Sequence, residues 1–182
     1  MADIPSGTVT FFFTDIEGST KLAQVYPDKW ESLREKHHAI LKEAIESNNG
    51  CIFQIIGDAF CAAFHTAKDG LNAAIEAQHA LKKTSEFFEN SEVSLRARMG
   101  IHTGEAEARD GEYRGYLTLS MVQRVMSAGH GGQILVSGVR SCLKWVKPRS
   151  NCSMSVRRKS LTNRKRRNVS AGRSVLRCRC QT

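Results

Sequence analysis

The chain of 182 residues is 41% apolar and 25% charged, proportions that suit one globular domain with its own core and exclude a disordered, collagen-like or disulfide-stapled chain. Its formal net charge of +9 is unevenly spread. Residues 1–138 hold 13 Lys and Arg against 18 Asp and Glu, whereas residues 139–182 hold 14 Lys and Arg and no acid, so a mildly acidic body carries a strongly basic tail.

No run approaches the roughly 20 apolar residues that cross a bilayer. No basic stretch followed by an apolar one opens the chain as a secretory signal would. The cysteines, Cys51, Cys61, Cys142, Cys152, Cys178 and Cys180, are irregularly spaced and form no C-x2-C pair. Together these features predict a cytoplasmic protein with reduced thiols, no transmembrane segment and no structural zinc.

In chain order, Thr8 to Thr14 (TVTFFFT) is short, β-branched, aromatic and apolar throughout, which reads as a buried strand. Asp15 to Ser19 is a turn, with Ser19 or Thr20 placed to cap the next element. Pro27 suits the first turn of a longer helix, on which Trp30, Leu33, His37, Ile40/Leu41 and Ala44/Ile45 recur at helical spacing. Asn48-Asn49-Gly50 ends it. Cys51 to Ile56 and Ala59 to His65 are two strands joined by a tight Gly57-Asp58 turn. A second helix spans Thr66 to Phe87. Val93 to Ile101 alternates as a strand with one polar face, which carries Arg96 and Arg98. A glycine-broken loop is expected from Thr103 to Gly115, a third helix from Leu117 to Ala128, and a last strand from Gln133 to Ser137. The order predicts an α+β fold: a ferredoxin-like β-α-β-β-α-β core with an additional helix and strand. Gly138 to Val146 reads as a short helix-like stretch. Beyond Pro148 the apolar periodicity fails, so a domain over 1–146 and a basic, disordered tail over 147–182 are expected. An abrupt switch to acid-free sequence is also what a shifted reading frame produces.

Two acids stand at strand ends. Asp15 follows the first strand, and Asp58 sits in the hairpin between the second and third. In a β-α-β-β-α-β sheet the first strand lies beside the third, so the two ends become neighbours. A turn aspartate taken alone is a turn former; it is the pairing that points to chemistry. Two adjacent carboxylates repel unless a cation joins them, and Mg2+ or Mn2+ prefers oxygen ligands. The backbone N–H groups of Ile16, Glu17, Gly18, Ser19 and Thr20 open a helix N-terminus, a cradle for phosphates. Metal carboxylates beside a phosphate cradle suggest phosphoryl or nucleotidyl transfer.

Four stretches in order, Gly7 to Thr20 (GTVTFFFTDIEGST), Ile56 to Phe64 (IGDAFCAAF), Arg98 to Gly104 (RMGIHTG) and Ala128 to Ser137 (AGHGGQILVS), closely resemble the motifs of class III adenylate/guanylate cyclase catalytic domains of bacterial type. The resemblance covers roughly residues 5–140. It implies a head-to-tail homodimer with active sites at the shared interface, and two Mg2+ or Mn2+ ions held by Asp15 and Asp58 with the carbonyl of Ile16. It also implies that Arg98 helps to hold phosphate. From the partner, such cyclases supply an asparagine and, four residues later, an arginine; these positions map onto Ser120 and Arg124. The base-reading lysine is replaced by Gln54, whose amide both donates and accepts and so suits adenine or guanine. The second base-reading position falls near Glu112 or Tyr113.

The resemblance therefore implies a nucleotide cyclase that converts ATP, with GTP as the alternative, to a 3′,5′-cyclic nucleotide and pyrophosphate in signal transduction. A catalytically weak or inactive cyclase-like module that dimerises and binds nucleotide is the second reading, favoured by Ser120, Gln54 and the expected absence of the family's final strands, which would leave the domain incomplete at its C-terminal end. The third is nonspecific polyanion contact through the basic tail.

Overall fold

The strand at the centre of the molecule is buried on both faces, and the arrangement of the remaining elements comes from that. The computed structural model describes residues 4–87, 95–109, 112–137, 142–147 and 155–160. Strand β1 (Gly7–Ile16) pairs antiparallel with β3 (Ala59–Phe64) on one side and with β4 (Ala97–Arg109) on the other. Strand β2 (Cys51–Ile56) adds to the outer edge of β3. The sheet order β2-β3-β1-β4 is that of the expected ferredoxin-like core. Beyond it, β6 (Ile134–Ser137) runs parallel to β4. Strands β7 (Cys142–Lys147) and β8 (Ser155–Ser160) continue the sheet, and β5 (Glu112–Arg114) folds back on the end of β4.

Helices α2 (Pro27–Ser47) and α3 (Ala67–Phe87) cover one face of the sheet. There Phe12, Phe60, Phe64, Met99 and Ile101 pack against Leu41, Ile45, Ala73, Ala74, Ala77 and Leu81. The other face meets α4 (Tyr116–Ser127), where Val9, Phe11 and Phe13 pack with Val122 and Met126. A strand covered on both faces has no polar alternation, which is why TVTFFFT is apolar throughout. The short helix α1 (Ser19–Val25) precedes α2, and Pro27 opens α2 as expected.

Four expectations need correction. The segment Thr103 to Gly115 is mostly strand rather than loop: β4 runs on to Arg109, with Gly104 opposite Val9 and Ala106 opposite Gly7. Its Gly104 is not a chain breaker but a clearance for α4, as is Gly100 earlier in β4. A Cβ on Gly100 would lie 2.5 Å from the Met126 backbone nitrogen, and one on Gly104 would lie 2.9 Å from Thr118. Second, Cys142–Lys147 is a strand rather than a helix, because β6 offers an unpaired edge and Trp145 and Val146 suit a strand. Third, Ser155–Ser160 pairs along the whole of β7, from Lys147 opposite Ser155 to Cys142 opposite Ser160, so the sheet continues past residue 146 into the basic segment. Backbone pairing needs no apolar side chain. Residues 148–154 and 161–182 of the expected tail lie outside the described residues. Fourth, α1 is not capped by Ser19 or Thr20; its N-cap is Gly18 at φ 72°, with no side-chain cap bond.

His37 on α2 is fully buried against Phe60, and both its ring nitrogens lack a hydrogen-bond partner among the described residues. Burial, followed by the charge of His38, pushes its pKa down to about 4.

Gly100→Ala forces a backbone shift in α4 and is expected to lower unfolding free energy by about 1–3 kcal/mol in urea titrations. His37 takes up a proton less readily folded than unfolded, so its contribution is intact above about pH 6.5 and is lost as pH falls toward 4. His37→Leu is expected to shrink the stability difference between pH 7 and pH 4 by about 3 kcal/mol, measured by urea titration at both pH values.

Candidate active site

The last residues of β1 set the site. On β1, even-numbered Thr10, Phe12 and Thr14 lie on the face of α2 and α3, while odd-numbered Val9, Phe11 and Phe13 face α4. Asp15 continues the odd series beyond the edge of that second apolar layer. Its cross-strand partner is Arg98. The guanidinium grips the carboxylate with both forks, Nε to Oδ1 at 2.8 Å and Nη2 to Oδ2 at 2.5 Å. The arginine is held charged and its pKa pushed up, first by the hydrogen bond to Asp15 and then by the charges of Asp15, Glu17 and Asp58.

Asp58 arrives from the β2–β3 turn. Gly57 takes φ 61°, a conformation that suits glycine. The Asp58 carboxylate accepts the backbone N–H of Ile16 at 2.7 Å. The sequence-expected pair is thus brought to one strand end, on either side of the Asp15–Ile16 peptide.

The fourth motif closes over the first. Glu17 N–H donates to the carbonyl of Arg96 at 2.8 Å, and Gly132 N–H donates to that of Ala97 at 2.9 Å. A Cβ on Gly131 would lie 2.4 Å from the Arg96 Cβ and 2.7 Å from Glu17 Oε2. His130 Nδ1 lies 3.7 Å from Glu17 Oε1. Glu17, Gly18 and Thr20 are exposed and Ser19 is half-buried. Ser19 and Thr20 open α1, where N–H groups have no helical partner.

The other expected residues lie elsewhere. Gln54 is exposed on β2, opposite Cys61 and just past a register shift. Ser120 and Arg124 lie one turn apart on α4, away from the row Thr118, Val122, Val125 and Met126 that packs on the sheet. Arg124 is exposed, and around it stand Tyr116 at 84%, Leu117 at 80% and Met121 at 37% exposure. Of the two candidates for the second base-reading position, Tyr113 is committed: its hydroxyl donates to the carbonyl of Pro5 at 2.8 Å, and its ring stacks edge-on with Phe11 and Phe53. Glu112 is exposed.

Two contacts escaped the sequence. Arg98 was expected at phosphate, and the structure places it on Asp15. His38 on α2 was not singled out, and its Nε2 lies 3.0 Å from the carbonyl oxygen of Gly57. Neither partner is visible before the strand register and the helix docking are known.

Comparison with known proteins decides the family. The family model for the adenylate and guanylate cyclase catalytic domain matches residues 2–170. The chain belongs to that family. A solved adenylate cyclase from Trypanosoma brucei in its monomeric state is 26% identical, with a TM-score of 0.60, covering 72% of this chain and 74% of that one. A solved adenylate/guanylate cyclase/hydrolase from Silicibacter pomeroyi is 25% identical, with a TM-score of 0.60, covering 71% and 75%. An uncharacterised protein of Mycobacterium tuberculosis is 33% identical over 135 residues, 73% of this chain and 44% of that protein. The chain thus spans less than half the length of the curated relatives it matches first. No described helix is long and apolar enough to cross a membrane.

The donor set fits a hard divalent cation. Asp15, Asp58 and the Ile16 carbonyl are oxygen donors. A carboxylate offers about four acceptor sites, of which Arg98 uses two on Asp15. Among the described residues no group of three or more His, Cys, Asp and Glu side chains gathers, so a multi-histidine or thiolate site is not formed there. If the Arg98 pair holds Asp15 in place, Arg98→Met, which leaves a half-buried carboxylate without its partner, is expected to lower unfolding free energy by about 1–3 kcal/mol. Denaturant titration at neutral pH reads this.

Proposed function

We propose that this domain is the catalytic part of a nucleotide cyclase, converting a purine nucleoside triphosphate, ATP before GTP, to a 3′,5′-cyclic nucleotide and pyrophosphate. The observation that carries the reading is the meeting of Asp15 and Asp58 at the Ile16 peptide, with Arg98 bonded to the first of the two acids.

In this reading Asp15, Asp58 and the carbonyl of Ile16 would hold two Mg2+ or Mn2+ ions. Such ions activate a hydroxyl and neutralise phosphate charge. The ribose 3′-oxygen bonds to the α-phosphorus, the bond from that phosphorus to the bridging oxygen breaks, and pyrophosphate leaves with the electron pair. The hydroxyl proton passes to solvent. The N–H groups of Gly18, Ser19 and Thr20 meet phosphate oxygens; those of Ile16 and Glu17, part of the cradle expected from sequence, are instead taken by the Asp58 carboxylate and the Arg96 carbonyl. Arg98, held to Asp15 by two hydrogen bonds, would turn a donor to the same phosphates. Gln54 reads the base.

Arg124 and Ser120 serve the site of a second copy. Their support is position: both lie on the outer side of α4, beside exposed Tyr116, Leu117 and Met121. An apolar patch around a functional arginine suits a homodimer in which α4 meets the partner. There Arg124 neutralises charge on the transferring phosphate. Ser120, shorter than the asparagine of the resembled family, orients the ribose less well, which favours a slow or silent cyclase as the second reading. Tight Mn2+-nucleotide binding without turnover would establish that reading instead. The basic segment supports a further, salt-dependent contact with polyanions.

Cyclic nucleotide formation from Mn2+-ATP and Mn2+-GTP tests the proposal. Asp58→Ala is expected to reduce turnover at least about 100-fold without loss of helical circular dichroism. Mixing Asp58→Ala with Arg124→Ala chains is expected to restore one intact site per heterodimer. An active native chain whose two dead variants never complement would place the whole site within one chain.

A further inference from the structure

The turn that presents Asp58 is a two-residue hairpin, and a side chain from α2 meets its central peptide. Gly57 and Asp58 form the two-residue link between Ile56 and its partner Ala59. Gly57 has φ 61°, and the one described non-glycine residue with positive φ is Asn49, so Asp58 keeps a negative φ. That combination is the II′ pattern, with positive φ at the first central residue alone. The I′ form requires positive φ at both positions, which aspartate tolerates. Rotating the Gly57–Asp58 peptide plane converts one form to the other and swings the Gly57 carbonyl and the Asp58 N–H to the opposite side of the turn.

His38 grips that carbonyl. Its Nε2 lies 3.0 Å from the Gly57 oxygen. A carbonyl only accepts, so Nε2 carries the proton. The ring is itself fixed, standing edge-on to Phe60 at 4.9 Å and 84°. Phe60 is 1% exposed, two residues beyond Asp58, and also meets the buried His37 ring at 6.1 Å. The grip therefore comes from a half-buried helix residue whose ring packs on Phe60. On the far side of the turn, Asp58 accepts the Ile16 N–H at 2.7 Å.

We propose that His38 is a positioning residue for Asp58: by donating to the Gly57 carbonyl it locks the hairpin peptide in the orientation that presents the Asp58 carboxylate to a divalent cation. The inference rests on the reading of Asp58 as a metal-binding residue. His38 touches neither cation nor nucleotide, and it acts only through the peptide.

Mn2+ alone is the probe, with binding to the full chain measured by electron paramagnetic resonance of free Mn2+. Thermal unfolding is followed in parallel. His38→Phe and His38→Leu keep apolar contact with Phe60 but cannot donate; His38→Gln keeps a donating amide. The two donor-less variants are expected to bind Mn2+ about tenfold more weakly, while His38→Gln stays within about twofold of the native chain. Wild-type affinity in a folded donor-less variant overturns the inference. So does a loss in His38→Gln as large as that in His38→Leu, since that would trace the effect to the ring's packing. Native binding that Asp58→Asn does not weaken overturns the reading of Asp58 itself and this inference with it, whereas native binding that falls in Asp58→Asn and is unmoved in the folded His38 variants overturns the inference alone.

Discussion

The hydrogen bond from the Ile16 amide to the Asp58 carboxylate, 2.7 Å long, ties together the two pieces of chain on which the site depends. Ile16 ends a strand whose register is fixed on both sides by antiparallel partners and on both faces by apolar layers. A one-residue slip would turn Phe12 out of one layer and Phe11 out of the other. The backbone of Asp15 is therefore placed by the core, and Arg98 holds its carboxylate. Asp58 has no such support: it sits on an exposed turn and is placed by what it and its neighbour peptide bond to, Ile16 on one side and His38 on the other.

The four motifs that carry the family resemblance divide by physical role. Gly100 and Gly104 are glycine because α4 lies on β4 at those points, and Gly131 is glycine because its loop lies against Arg96 and Glu17. These residues report the packing of a helix and a loop onto a sheet. Asp15, Asp58 and Arg98 report a charge cluster that packing does not require. A match to the glycines is thus strong for the fold, and a match to the charged residues is what speaks of chemistry.

Legibility divided along the same line. The apolar first strand, the Gly57-Asp58 hairpin and the helical stripe Leu33, His37, Leu41 and Ile45 were readable because burial imposes a period on sequence. The adjacency of Asp15 and Asp58 was readable once the element order was known. What was missed has no period. Gly104 reads as a breaker unless the helix above it is known. Ser155–Ser160 has almost no apolar residue, and its place in the sheet comes from backbone pairing to β7. The Asp15–Arg98 pair depends on a cross-strand register 83 residues apart in sequence. The roles assigned to Gln54, Ser120 and Arg124 came from resemblance alone, because residues far from one another within a chain leave no geometric trace in it.

The charge balance at the site bears on how it would load. Three acids, Asp15, Glu17 and Asp58, raise the affinity of the Arg98 guanidinium for its proton, and both of its forks engage Asp15. Arg98 faces three negative charges, and Arg34, which also feels Asp58, is bonded to Glu31, so the acids stay in local excess and attract further cations. A divalent ion approaching Asp15 meets a carboxylate with acceptor sites to spare but with Arg98 beside it, and like charges repel. A triphosphate arriving with the ion reverses that balance, because it offers the guanidinium a second set of oxygens with matching bidentate geometry. Arg98 then has reason to share or exchange its partner, and the same residue can guard the carboxylate in the unliganded chain and meet phosphate in the loaded one. On the proposed function, the pairing with Asp15 and the phosphate role implied by resemblance would be two states of one electrostatic balance, and nucleotide and metal would favour each other's binding.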